Sequence, residues 1–148
     1  GALVDRAVRM VAGGHASSRV AVRLAPGLPR LRTGGDELVR VLANLVDNAL
    51  QASAPADVVS VIAVEESEWL CIEVSDRGCG MDAAVAARAF EPFFTTRGAS
   101  GGRGLGLSVC RDLVGGLGGS IELDSAVGAG TRMRVVLPLG PRGEQHAV

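Results

Sequence analysis

The 148-residue chain has no lysine and no tyrosine, one tryptophan, three phenylalanines and three cysteines. Each scarcity excludes something. All fifteen basic residues are arginine, so no phosphate loop ending in Gly-Lys-Ser/Thr exists here. Cys71, Cys79 and Cys110 are odd in number and lack C-x-x-C or histidine-rich spacing, which leaves neither a disulfide framework nor a zinc site and makes a reducing setting the default. No apolar run approaches the ~20 residues of a membrane helix, and nothing resembles a signal peptide. The segment therefore reads as a soluble cytoplasmic piece without membrane contact of its own, whatever anchors its parent. A net charge of -1 and a pI near 6.1 give no general attraction for nucleic acid. At 15.1 kDa and 47% hydrophobic residues, the composition suits one domain with a substantial core.

Apolar residues at 3, 4, 7, 8 and 11 predict a helix over Leu3–Val11, stopped by Gly13-Gly14. Val20, Val22 and Leu24 have the alternation of a half-buried strand ended by Pro26-Gly27. Asp36 is placed to cap a long helix to Ala52, with an apolar stripe at 38, 41, 42, 45 and 49. Val58–Val64 and Leu70–Val74 read as an antiparallel pair across a polar turn. Met81–Ala89 reads as a short alanine-rich helix, Phe94–Arg103 as a glycine-rich flexible stretch and Gly106–Leu117 as a helix. Ser120–Leu123 and Met133–Leu137 close the fold as strands. There is no regular βαβ alternation, so the expected fold is α+β: a two-layer α/β sandwich, helices on one face of a mixed sheet of about five strands. Residues 1–140 form that single domain, and 141–148 are expected to be a disordered tail.

Four segments carry chemistry. Each helical residue turns about 100°, which puts Asn44, Asn48 and Gln51 on a polar stripe bordering the apolar one. Asparagine costs helix propensity, so two at i and i+4 call for a reason. Amide oxygens there suit Mg²⁺, which takes few protein oxygens and shares the phosphates; a solvated face is the plainer alternative. In Asp76-Arg77-Gly78-Cys79-Gly80 a carboxylate ends a buried-looking strand, where it can accept from an exocyclic amine and so separate adenine from guanine. The glycines admit a flat ligand close to the backbone, and an aspartate turn is the alternative. Cys79 reads as a small filler, because no histidine lies nearby in sequence. Gly102-Arg103-Gly104-Leu105-Gly106-Leu107 opens directly into a helix, so its free N–H groups and dipole suit phosphate. Arg97 and Arg103 flank it, either as phosphate partners or as solvated surface. Phe90, Phe93 and Phe94 cluster as a plug able to anchor a movable lid.

Taken in order with Gly128-Ala129-Gly130-Thr131, these segments resemble the catalytic and ATP-binding domain of two-component sensor histidine kinases. That family has the Bergerat fold and shares a superfamily with gyrase, heat-shock chaperone and mismatch-repair ATPases. The resemblance runs from about Leu3 to Pro138 and covers the N box (Asn44 to Asn48), G1 box (Asp76 to Gly80), F box (Phe90 to Phe94), G2 box (Gly102 to Leu107) and last glycine box (Gly128 to Thr131). It implies ATP and Mg²⁺ as cofactors, with Asn48 on the metal, Asp76 on the adenine amine supported by Thr131, and Phe94 to Gly101 as the lid. The implied binding set is Asn44, Asn48, Gln51, Asp76, Gly78, Gly80, Met81, Phe94, Thr95, Arg97, Gly102, Arg103, Gly104, Leu105, Gly106, Leu107 and Thr131. Asn44 and Arg97 are its catalytic candidates.

One substitution separates the branches. The superfamily's ATPases carry a water-activating glutamate where this chain has Asn44. An amide is no general base, whereas phosphoryl transfer to an incoming nucleophile needs mainly positioning and charge stabilisation. The implied activity is transfer of the γ-phosphoryl of Mg-ATP to a histidine on a separate dimerisation domain, with a response regulator downstream. Leu3–Val11 would continue from that domain's hairpin, and the isolated segment is not expected to label itself. A gyrase-type hydrolysing ATPase, a serine kinase resembling anti-sigma factors and a non-catalytic interaction platform are the other readings. Two positions depart from the family pattern: Leu117 replaces a common histidine, and Gln51 a common basic residue.

Overall fold

The computed structural model describes residues 19–30, 35–91, 106–139 and 146–147. The elements are β1 (Val20–Leu24), β2 (Pro29–Arg30), α1 (Gly35–Ala52), β3 (Val59–Glu66), β4 (Trp69–Asp76), α2 (Ala83–Arg88), α3 (Leu107–Gly116), β5 (Ser120–Ala126), β6 (Gly130–Pro138) and β7 (His146–Ala147). Five strands form one sheet in the order β1-β3-β4-β6-β5, while β2 pairs with β7 separately. β1 runs parallel to β3 and the other neighbours are antiparallel, so the sheet is mixed. The expected helix over Leu3–Val11 and the flexible stretch Phe94–Arg103 lie outside the described residues.

Side chains alternate between the faces of a strand, and the register turns that alternation into two different surfaces. Ala63, Ile72, Val135 and Ile121 align in one row, Val61, Val74, Met133 and Leu123 in the next. These rows form the core floor, where Val61, Ile72 and Val135 are fully buried. The opposite face carries Glu73, Arg134 and Glu122, then Ser75, Arg132 and Asp124. Exposed ion pairs cross it, Arg132 Nε to Glu73 Oε1 at 3.3 Å and Arg134 Nη2 to Glu66 Oε2 at 3.2 Å. Among the described residues, helices pack only on the apolar face: α1 against β3, β4 and α3, and α3 against β5. The result is a two-layer α+β sandwich.

The strands run longer than their apolar stretches suggest. β4 extends from Trp69 to Asp76, β5 to Ala126, and β6 spans Gly130–Pro138. Backbone ladders need no apolar side chains, and most of the added residues are polar, with Ser75, Asp124 and Arg132 on the solvent face and Asp76, Ser125 and Thr131 continuing the inward rows. α1 begins at Gly35, so Asp36 and Glu37 sit inside its first turn, where carboxylates oppose the positive end of the dipole. α2 begins two residues later than expected because Asp82 is its N-cap, accepting from Val85 N at 2.8 Å. Met81 thereby stays in the loop that follows β4. Among the described residues no helix is long and apolar enough to cross a membrane.

Ile72 and Glu73 are sequence neighbours on opposite faces, which gives a direct check of the one-sided core. Ile72→Ala should lower the unfolding free energy by about 2–5 kcal/mol, and Glu73→Ala, which breaks one exposed ion pair, by no more than about 1 kcal/mol. Urea denaturation would show this, and similar losses for both would contradict the layer assignment.

Candidate functional site

The loop after β4 is clamped between two elements. A Cβ on Gly78 would run into the Ala52 carbonyl at the end of α1, and one on Gly80, at φ +69°, into the Ala126 carbonyl at the end of β5. Gly128 N donates to Cys79 O at 2.9 Å, and Met81 N to Ser125 Oγ at 2.9 Å. Close backbone approach on both sides therefore requires the glycines that the sequence places here.

Asp76 is the last residue of β4 and pairs in register with Thr131 of β6. Its Oδ1 accepts from Gly78 N at 2.8 Å and from Thr131 N at 3.2 Å. Oδ2 takes part in neither bond and, when ionised, is an acceptor-only oxygen. Burial raises the Asp76 pKa above its ordinary 3.8, against the lowering effect of the two backbone bonds. A raised folded-state pKa favours the fold at acid pH, and that contribution is lost as pH rises through it. The carboxylate is thus kept at a cost in stability.

Sequence reasoning missed Ser125. Its hydroxyl lies 2.9 Å from Gly130 O and 2.9 Å from Thr131 Oγ1, besides accepting from Met81 N. The available signal was its position, as a polar residue continuing the inward row of Ile121 and Leu123 on β5. With Asp76, Thr131 and Met81 it forms one connected polar cluster at the strand ends.

α1 joins this cluster to α3. Ala52 touches the loop at Gly78, while Asn44, two turns earlier, donates from Nδ2 to Cys110 Sγ of α3 at 3.1 Å. With a rise of 1.5 Å per residue these anchors stand about 12 Å apart, and Asn48 lies midway. Asn44 is not at the border of the core, as its stripe position suggests, but only 1% exposed, because α3 packs over that side with Cys110 and Val114 fully buried. Its Oδ1 has no hydrogen-bond partner. Burial raises the Cys110 pKa, so the thiol stays neutral. Asn48 is half-buried; Gln51 is exposed and donates from Nε2 to Asp47 Oδ2 at 2.9 Å.

At the start of α3, Gly106 is an extended N-cap (φ -77°, ψ 166°) without a side-chain cap. The first N–H groups of the helix are therefore available to an anion. Leu107 packs against the core, as does Phe90, whose ring lies 5.7 Å from the Arg111 guanidinium. Phe94, Thr95, Arg97, Gly102, Arg103, Gly104 and Leu105 lie outside the described residues. A separate cavity of about 480 Å³, lined by Asp57, Ser60, Ser75 and Arg77 among others, opens on the outer side of Asp76. Ser60 and Ser75 face away from the helices, so it is not the face that carries Thr131 and Asn44.

Comparison with known proteins agrees with this geometry. Residues 33–141 match the histidine kinase-, DNA gyrase B- and HSP90-like ATPase family, and the chain belongs to it. ATP is accordingly its ligand class. Sensor histidine kinase ZraS of Escherichia coli K12 is 34% identical over 139 residues, covering 93% of this chain and 30% of that protein. The chain thus spans less than a third of that curated relative. Two solved structures have the same fold at a TM-score of 0.76 and cover 99% of the chain. One is the mycobacterial sensor histidine kinase MprB, at 23% identity and 95% of that chain; the other is full-length ShkA in complex with AMPPNP, at 22% identity and 30% of that chain.

The unpaired Asn44 carbonyl leads to a prediction about stability. Asn44→Ala should change the unfolding free energy by at most about 1 kcal/mol, because removing an unsatisfied buried acceptor offsets the lost thiol bond and packing. Leu45→Ala, one residue along, should cost about 2–5 kcal/mol. A large loss for Asn44→Ala in urea denaturation would show that its oxygen is satisfied after all.

Proposed function

We propose that the chain is the ATP-binding catalytic domain of a sensor histidine kinase, passing the γ-phosphoryl group of Mg-ATP to a histidine on a separate dimerisation domain, with a response regulator as the later acceptor. The observation that carries this reading is the Asp76 carboxylate, held at Oδ1 by Gly78 N and Thr131 N with Oδ2 outside both bonds. In this reading Oδ2 accepts from the adenine amine, while Gly78, Gly80 and Met81 line the base. The free N–H groups at Gly106 and Leu107 receive phosphate oxygens together with Gly102, Arg103, Gly104 and Leu105. Phe94, Thr95 and Arg97 belong to the covering lid, and Arg97 reaches the γ-phosphate.

The donor set fits a hard cation: the buried, unpartnered Asn44 Oδ1 and the Asn48 amide one turn later supply neutral oxygens, which is what magnesium takes when phosphates complete its shell. Magnesium there would neutralise phosphate charge. Asn44 cannot remove a proton, but an imidazole nucleophile attacks with its own lone pair as the β–γ bridging P–O bond breaks and ADP leaves. The substitution that disables hydrolysis therefore leaves this transfer possible. The site operates in the cytoplasm, on a domain that need not touch the membrane or nucleic acid.

Labelled ATP given to the chain together with its histidine-bearing dimerisation domain should yield acid-labile label on that domain and none on the chain alone. Free phosphate without protein label would instead indicate a hydrolysing ATPase, acid-stable phosphoserine a serine kinase, and no nucleotide binding a platform.

Asp76→Asn keeps an oxygen for Gly78 N and Thr131 N but turns an amide donor towards the adenine amine. Its melting temperature should hold while ATP affinity in calorimetry drops at least tenfold, about 1.4 kcal/mol. In the wild type, ATP affinity should fall on acidification with a midpoint above 3.8, because protonation removes the acceptor. Asp76→Asn should be flat across that window, and an equally steep profile in the variant would reassign the titrating group.

A further inference from the structure

Ser125 lies outside the nucleotide-binding set read from the sequence, yet its bonding pattern leaves little freedom. A serine hydroxyl has one proton and two lone pairs. Ser125 Oγ has three partners, each at 2.9 Å: Met81 N, which only donates; Gly130 O, which only accepts; and Thr131 Oγ1, which can do either. Met81 takes one lone pair and Gly130 the proton. The remaining lone pair is satisfied only if Thr131 donates its own proton to Ser125. Turning the Ser125 proton to Thr131 instead would forfeit the bond to the Gly130 carbonyl, while the hydroxyl–hydroxyl contact would merely change direction.

We propose that Ser125 is a positioning residue that makes the Thr131 hydroxyl acceptor-only towards the ligand and thereby favours adenine over guanine. The inference rests on the ATP-binding reading above. Thr131 and Asp76 are paired across β4 and β6 and continue the inward-facing rows of their strands. With the Thr131 proton directed at Ser125 and Asp76 Oδ1 occupied, this edge of the site offers lone pairs from both residues. The exocyclic amine of adenine, directly or through one water, supplies protons to them. Guanine presents a carbonyl oxygen at the same ring position, which sets acceptor against acceptor. Sites that satisfy a ligand donor reject analogues lacking it, because their buried polar groups are left unpaired.

In Ser125→Ala the Thr131 proton is released and can turn towards the ligand, which relaxes the discrimination. Affinities for Mg-ATP and Mg-GTP would be measured by calorimetry on the wild type, Ser125→Ala, Thr131→Val and the double variant. The expected result is a fall of at least fivefold in the ATP:GTP affinity ratio for Ser125→Ala. A comparable fall is expected for Thr131→Val, with no further change beyond twofold when Ser125→Ala is added to it. A general loss of folding lowers both affinities and does not move the ratio. The proposal is overturned if the Ser125→Ala ratio stays within twofold of wild type, or if Ser125→Ala acts as strongly without the Thr131 hydroxyl. Should Ser125→Ala not fold, an unchanged ratio in Thr131→Val overturns it equally. Wild-type protein that binds ATP while the ratio is unmoved refutes this inference alone, and wild-type protein that binds neither nucleotide removes the ATP reading with it.

Discussion

The Asp76 carboxylate holds the site together through a single oxygen. Oδ1 bridges Gly78 N in the loop and Thr131 N in the neighbouring strand, so one side chain joins the path of the loop to the end of the sheet. Charge-assisted bonds of this kind are stronger than those between neutral groups. The arrangement needs β4 and β6 to run one step beyond their apolar stretches, so that residues 76 and 131 meet in register. It also needs Gly78 to let the loop pass against the end of α1. Half-burial raises the carboxyl pKa, so keeping this side chain ionised works against stability while its Oδ1 ties the loop to the sheet.

The same tension recurs on α1. Asn44 is the only buried polar side chain of the described core, and half of its amide is unsatisfied. Cys110 accounts for the other half and locks the helix that presents N–H groups at Gly106 to the helix that carries the paired asparagines. Among the described residues, helices cover only the apolar face of the sheet, so the two helices share a floor, and α1 spaces the Asp76 cluster from the start of α3. The opposite face carries cross-strand ion pairs.

Much of this was legible before any coordinates. The long apolar stripe of α1, the β3–β4 hairpin and the mixed, one-sided sandwich follow from periodicities that survive in a linear string. What was harder to read had polar residues where structure continues: the ends of β5 and β6, whose outward Asp124 and Arg132 hide a strand, and Met81, which capping by Asp82 leaves out of α2. A helical wheel puts Asn44 at the edge of the core because it shows one helix at a time. The packing of α3 across it is a relation between residues 66 apart.

Sequence alone determined the ligand class, because spaced glycines and an aspartate at a strand end are chemical identities that do not depend on coordinates. Tertiary structure decided how those groups are used: which oxygen of Asp76 is spent on the backbone, which atom of Asn44 is left unpaired, and that Ser125 stands between Met81, Gly130 and Thr131. A hydrogen bond has a direction and a partner, and both are set only when strands far apart in the chain come into register.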